Sequence, residues 1–422
     1  MTLLFVNARQ VVTCAGPPRA RRGPEMGDAG VLTNVAVAVD GDRIAAIGDA
    51  RSLAKAHPGA TEIDCSGCVL TPGLVDSHTH AVFGRPRYDE HELRATGLGY
   101  MEIARRGGGI HASVRDLRGR AEDELYDLSI ARVRRLAAFG TTTVEIKSGY
   151  GLSSEDELKS LRVIARLASV LPLKIIPTWL GAHEVPLDHR ERESGRAEYL
   201  DLLTGDMLRD VSGSGLARFA DIFCEPGVFT VEESRAVLSA AQRAGLGIKL
   251  HADELEYSGG AELAAELGAA SADHLGAISE AGIKALVGSD TVATLLPGTM
   301  LFLGRSKQAP ARALIDAGVP VALATDFNPG SSPTVNFPLV LTLGVSQLRM
   351  SAAEVVIAAT VNGAAALGLA GETGQIGPGF AADLALFEGK DFRELPYWYG
   401  DRRCRGSWAA GKTCHPFEPG LG

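Results

Sequence analysis

The chain has 422 residues, 45% of them hydrophobic and 22% charged, with a formal net charge of −9. That make-up is globular and long enough for one large domain and a smaller one. The acidic balance disfavours a phosphate backbone, so nucleic acid is not an expected partner, and 6 cysteines are too sparse for a disulfide-stapled scaffold.

The opening MTLLFVNARQ lacks a basic run leading into an apolar stretch, and the apolar stretch from Ala352 to Ala370 is interrupted by Glu354 and Asn362. A cytoplasmic protein with reduced thiols and no membrane segment is expected. Arg19-Ala20-Arg21-Arg22 sits among Gly and Pro and reads as a solvated loop. Short strands at Ala36 to Val39 and Arg43 to Ile47 flank an Asp40-Gly41 turn signal. Cys65 and Cys68 form a C-x-x-C with no second half to complete a four-ligand site, so they read as an incidental pair at a strand edge.

From Val69 onward, β-branched or apolar runs alternate with stretches of helical period. The strand candidates are Val69 to His80, Thr141 to Lys147, Leu173 to Leu180, Ala220 to Cys224, Gly247 to His251, Ser271 to His274, Thr291 to Leu296 and Pro320 to Thr325. Between the first two, the stretch from Tyr100 to Arg120 carries Gly107-Gly108-Gly109. It lacks the Gly-Lys-Ser/Thr ending of a phosphate loop and is expected to be a mobile loop near the site. After the second, Ser154 and Glu157 are spaced as a capping box, followed by an apolar stripe of Leu158, Leu161, Ile164 and Leu167. This alternation predicts an α/β fold, a (β/α)8 TIM-like barrel. A β-like stretch at Ala382 to Phe387 completes a small β-sandwich domain from both chain ends, with residues 1–70 and 366–422 flanking a barrel at 71–365.

The strongest chemical signal is Asp76-Ser77-His78-Thr79-His80. Residues two apart on a strand point the same way, so His78 and His80 can share one metal. His251 ends the fifth strand candidate and Asp326 follows the eighth, and strand ends of one barrel converge on a single mouth. Three imidazoles and a carboxylate suit Zn or Fe. His274, at the end of the sixth, is placed for acid/base work or for polarising a carbonyl.

TPGLVDSHTH, EIKSGYGL, LGAH, KLHADE, SADHL, LLPG and ATDFNPG together resemble, in order, the motif series of the imidazolonepropionases, within the amidohydrolase superfamily. The resemblance implies one divalent metal ion per chain on His78, His80, His251 and Asp326. It also implies substrate contacts from Arg87, Tyr150, His183, Glu254, Asn328, Gly330 and Ser331, with catalytic roles for Glu254, His274 and Asp326. The implied reaction is hydrolysis of the ring C–N bond of 4-imidazolone-5-propanoate to N-formimino-L-glutamate in histidine degradation. A homodimer is a further expectation of the family. The chain departs from the family at His91, where an aromatic Phe is usual, and at Glu184, where a small residue is commoner.

Two other readings stand beside this one: an aminohydrolase acting on a nitrogen heterocycle with the same ligand set, and a non-catalytic barrel. A carboxylated Lys147 bridging two metals is disfavoured, because such a lysine is expected on the fourth strand, which ends in Cys224-Glu225.

Overall fold

In the computed structural model, residues 2–98, 102, 103 and 107–417 are described. Two sheets built from the chain ends face each other. One has the spatial order Arg43–Gly48, Ala36–Asp40, Thr2–Val6 and Thr61–Asp64. The other runs Lys412–His415, Cys404–Ala409, Leu384–Glu388, Cys68–Pro72, Gln10–Val12 and Val31–Leu32. Strand alternation explains the packing. Leu3, Phe5, Val37 and Val39 point to the core shared with Leu70, Leu384, Leu386 and Trp408, while Leu4, Val6, Ala36 and Ala38 pack under Leu53 of the helix Ala50–Ala56.

The barrel is an eight-stranded parallel sheet of Leu74–Asp76, Thr141–Lys147, Lys174–Ala182, Phe219–Cys224, Gly247–Ala252, Ser271–His274, Val292–Leu295 and Val321–Leu323. Ser153 caps the helix Ser154–Val170, on which Leu161, Ile164 and Leu167 are buried against the sheet. No helix of the described residues is long and apolar enough to cross a membrane.

Several expectations are corrected. The single strand expected from Val69 to His80 is two strands in different sheets, Cys68–Pro72 and Leu74–Asp76. Pro72 lacks an N–H to continue a ladder, and a Cβ at Gly73 would stand 2.1 Å from Thr142 Oγ1, so only glycine lets the chain cross there. The helix cap is Ser153 rather than Ser154, because Glu157 turns away to a loop described below. Arg21 is buried rather than solvated. Its guanidinium donates to the carbonyls of Pro17, Arg19 and Cys14, and its backbone N–H to Asn362 Oδ1 at 2.7 Å. Within the expected mobile loop, Ile110–Arg118 is a helix, entered through Gly109, whose N–H donates to Glu90 Oε1 at 2.8 Å. Tyr100, Met101 and Ala104 to Arg106 of that stretch lie outside the described residues.

Candidate active site

The first and eighth barrel strands meet through the segments that carry His78, His80 and Asp326. Asp326 N donates to His78 O at 3.0 Å and His80 N to Phe327 O at 2.8 Å. Just below, the Asp76 carboxylate accepts from Thr325 N at 3.0 Å and Thr325 Oγ1 at 2.7 Å. Closing the barrel therefore brings these three side chains to one place.

His78, His80 and His251 each offer a ring nitrogen within 4.8 Å of the others. His80 Nε2 and His251 Nε2 are 3.4 Å apart, and Asp326 Oδ1 lies 3.6 Å from His78 Nε2 and 3.5 Å from His80 Nε2. Donors about 2.1 Å from one tetrahedral ion stand roughly 3.4 Å from each other, so this spacing fits a single shared metal. His78 Nε2 is buried with no hydrogen-bond partner among the described residues, which suits a metal-ligand atom.

Two of the imidazoles are aimed from behind. His78 Nδ1 pairs with Asp273 Oδ2 at 2.6 Å, and His251 Nδ1 faces Asp221 Oδ2 at 3.1 Å. A proton held on Nδ1 leaves Nε2 as the free lone pair. Burial, then the neighbouring Lys147 and imidazoles, hold His78 well below the usual histidine range; burial and His183 do the same for His80. Both rings are therefore neutral, as ligation requires.

Asp326 follows the eighth strand with φ +51, a left-handed conformation strained for a non-glycine residue. Burial pushes its carboxyl up to about 6 against a 2.6 Å hydrogen bond donated by Thr299 Oγ1. His274 is also left-handed, at φ +81, and its ring lies 5.2 Å from that of His251 and 5.4 Å from that of His78. Neither His274 nitrogen has a hydrogen-bond partner among the described residues; the nearest carboxylate, Glu254 Oε2, is 3.6 Å from Nε2. Burial, reinforced by the Asp326 charge, holds the Glu254 carboxyl well above the usual range, and burial lowers His274. Glu225 fixes the Glu254 loop by accepting from the backbone N–H groups of Glu254, Leu255 and Glu256.

On the other side of the cluster, the His183 ring stacks on His80, with centroids 5.1 Å apart and planes at 19°. His183 Nδ1 pairs with Gly149 O at 2.8 Å, and burial brings its imidazole down to about 3, leaving a neutral ring. The Tyr150 ring is 5.3 Å from His183 and 5.9 Å from His80. The Gly149–Leu152 loop that carries Tyr150 is clamped through its backbone. Glu157 accepts from the N–H groups of Gly149, Gly151 and Leu152, while Arg118 donates to Gly151 O at 2.7 Å and Leu152 O at 2.9 Å.

Arg87 is buried at the start of the helix Tyr88–Ala95, its Nε and Nη1 without hydrogen-bond partners among the described residues. Glu90 Oε2 stands 3.6 Å from its Nε, an ion pair that offsets part of the cost of burial and leaves hydrogen-bond capacity on the fork for an anion. The guanidinium rests against Gly330, and Arg87 N donates to Pro329 O at 3.0 Å. Asn328 builds this turn: its Oδ1 accepts from Gly330 N and Ser331 N, and its Nδ2 donates to Asp326 O and Ser331 Oγ. Both ends of its amide are thus engaged in shaping the loop.

The two departures from the family pattern are occupied locally. His91 stacks on Phe302 at 4.7 Å, and Glu184 Oε1 accepts from Arg190 at 2.6 Å. The Lys147 ammonium is 2.7 Å from both Glu145 Oε1 and Asp221 Oδ2, an ion-paired lysine rather than a metal bridge. Sequence reasoning missed Asp221, Asp273, Thr299, Glu157, Arg118 and Glu225. A signal was present only for the partners of Asp221 and Asp273: charged residues two apart inside apolar strands, as in Glu145/Lys147 and Lys249/His251, point inward together.

Residues 90–415 match the Amidohydrolase family, and residues 36–60 match an imidazolonepropionase-like composite domain of bacteria. The chain is 43% identical to the imidazolonepropionase of Bacillus velezensis, covering 97% of this chain and 96% of that protein. It is 46% identical to the imidazolonepropionase of Geobacillus kaustophilus, covering 95% of each. Among solved structures, a zinc-bound adenosine deaminase from Xanthomonas campestris superposes with a TM-score of 0.71 at 20% identity, over 97% of this chain and 92% of that one. A zinc-complexed atrazine chlorohydrolase from Arthrobacter aurescens does so with 0.67 at 18%, over 97% and 94%. At such identities these two structures bear on the fold alone.

Proposed function

The chain belongs to the imidazolonepropionase family of amidohydrolases, and from that premise we propose that His78, His80, His251 and Asp326 hold one divalent ion, zinc or iron, at the barrel mouth. The chain is a hydrolase acting on a cyclic amide: it opens the ring C–N bond of 4-imidazolone-5-propanoate to give N-formimino-L-glutamate. The observation that supports the site assignment is the common focus of three strand-end imidazoles, two of them aimed by buried carboxylates. An intermediate of amino-acid breakdown supports a cytoplasmic placement.

When bound, the ion supplies a Lewis acid that brings the pKa of a water toward neutrality and polarises the ring carbonyl. Arg87 takes the propionate through its Nε and Nη1 donors, which hold no hydrogen bond among the described residues and lie beside the Glu90 carboxylate, fixing the ring at the mouth. Tyr150 and His183 wall one side of the ring, and their clamped loop keeps that wall still. Asp326 accepts the proton of the attacking water at its carboxylate, and water oxygen bonds to the ring carbonyl carbon. His274, neutral and with free ring nitrogens, donates to the carbonyl oxygen as negative charge grows there. The C–N bond then breaks, and Asp326 hands its proton to the departing ring nitrogen. Glu254, kept protonated by burial, donates to the ring and holds its orientation.

The test is incubation of purified, metal-analysed protein with freshly made 4-imidazolone-5-propanoate, following loss of the ring's ultraviolet absorbance and formation of N-formimino-glutamate. Metal-dependent turnover, abolished in Asp326→Ala, is expected. No turnover by fully metallated protein would overturn the reading, and ammonia release from other heterocycles would replace it with aminohydrolase chemistry.

A further inference from the structure

Below the imidazoles, inside the barrel, lies a lattice of fully buried charges that the reaction above does not use. It comprises Glu145 and Lys147 on the second strand, Asp221 on the fourth, Lys249 on the fifth and Asp273 on the sixth. Lysine and carboxylate side chains are rarely buried this completely unless paired, and a lattice on five residues costs more desolvation than one structural pair would. What it touches indicates its use. Lys147 Nζ lies 2.7 Å from Asp221 Oδ2, 2.7 Å from Glu145 Oε1 and 3.9 Å from Asp273 Oδ2. Asp221 and Asp273 are the carboxylates that face Nδ1 of His251 and His78.

We propose that Lys147 is a positioning residue for the metal ligands, an ammonium that fixes the carboxylate aiming His251 directly and, jointly with Lys249, supports the one aiming His78. Asp221 is pinned at both oxygens: Oδ1 accepts from Ile222 N at 2.7 Å and His251 N at 3.2 Å, and Oδ2 is held by Lys147. Without the ammonium, Oδ2 loses the partner that holds it toward the His251 ring. The same lysine reaches the His78-Thr79-His80 segment. Its backbone N–H donates to Thr79 O at 2.9 Å, and its partner Glu145 accepts from Thr79 N at 3.3 Å. Lys249 backs Asp273 at 3.7 Å and donates to Ser77 O at 3.1 Å. Strands that lie apart around the barrel are thereby set to one ring geometry before any ion arrives.

The inference rests on the imidazoles being ligands, and the experiment separates the two. Zinc release from the holoenzyme to a competing chelator is measured for the wild type, for Glu145→Gln and for the charge-balanced Lys147→Met/Glu145→Gln, with the visible spectrum of each cobalt-substituted form. A wild type that holds no zinc would remove the ligand reading itself. With zinc bound, the double variant is expected to fold, to lose affinity by about 10- to 100-fold as other outer partners of metal ligands do, and to show a changed cobalt spectrum. Glu145→Gln alone loses less. Adding Asp221→Asn to the double variant costs less than it does in the wild type, because both changes break one relay. The proposal is overturned by a folded double variant with wild-type zinc affinity and cobalt spectrum, by strictly additive losses, or by a double variant that cannot fold even with zinc, which would make Lys147 part of the scaffold only.

Discussion

A Cβ at Gly330 would stand 1.4 Å from Arg87 Nη2, with guanidinium on one side and the Asn328-built turn on the other. Gly330→Ala must therefore swing the guanidinium off its seat. With Arg87 proposed to grip the unreacting propionate, KM is expected to rise at least about tenfold, one to two charge-assisted hydrogen bonds' worth, with kcat changed less. Steady-state kinetics on 4-imidazolone-5-propanoate decide this, and an unchanged KM would remove Arg87 from the carboxylate site. A second residue acts through pH. Burial, then the charges of Arg190, Arg115 and Arg118, bring the His111 imidazole down to about 4, whereas in an unfolded chain it titrates near about 6.5. Between those values the unfolded chain binds more protons, so this contribution is whole above 6.5 and is lost as pH falls toward 4. The urea midpoint of the wild type should fall more steeply from pH 7 to 5 than that of His111→Gln; equal slopes would refute the assignment. At this scale His78, His80, His251 and Asp326 were legible because each stands at a strand end, a position a sequence marks. Asp221, Asp273 and the use of Lys147 were not: they lie on three different strands, and only closure of the barrel brings them together behind the imidazoles.

The loop Gly149–Leu152 shows how an irregular element is held by more than the packing of its Tyr150 and Leu152 side chains. Its backbone groups are taken up by Glu157, Arg118 and His183, and Leu152 is left-handed at φ +51. The sequence offered Ser154 and Glu157 as a capping pair, but a buried carboxylate that can satisfy three N–H groups of one loop is better used there, and Ser153 took the cap. Such competition between two local uses of one side chain is not decided by spacing. Arg118→Met keeps the aliphatic stem over the loop and removes both donors to it. KM is expected to rise about tenfold, the equivalent of roughly 1.5 kcal/mol from one charge-assisted hydrogen bond, with the thermal midpoint of the whole protein nearly unchanged. A large fall in midpoint with unchanged KM would make Arg118 a scaffold residue instead. The strand expected from Val69 to His80 failed for a related reason: its hydrophobicity is continuous, and the break at Pro72-Gly73 reflects which sheet each half joins.

At the scale of the whole molecule, β-α alternation disclosed the barrel, and short β-like stretches near both chain ends disclosed their pairing, but neither showed where the barrel is sewn shut. Neighbouring strands elsewhere are joined by parallel ladders, two of them with a register shift, whereas the first and eighth meet through the Thr79–Phe327 bridge and the Asp76–Thr325 contacts. The proposed ligands straddle this seam, with His78 and His80 on one side and Asp326 on the other. A bound ion is then a cross-link of the seam, and a ligand present at about a thousand times its dissociation constant adds about 4 kcal/mol to the folded state. Removing the metal with a chelator should lower the thermal midpoint, and it should do so unevenly. Amide hydrogen exchange is expected to accelerate at His80, Asp326 and Phe327, whose backbone forms the seam. Val69, Leu70, Leu384 and Ala385, paired in the outer sheet, should keep their protection. Uniform acceleration would mean that the ion stabilises the fold globally and that the seam is closed without it. Acceleration confined to the seam would show that the residues proposed to perform the hydrolysis also hold the barrel shut.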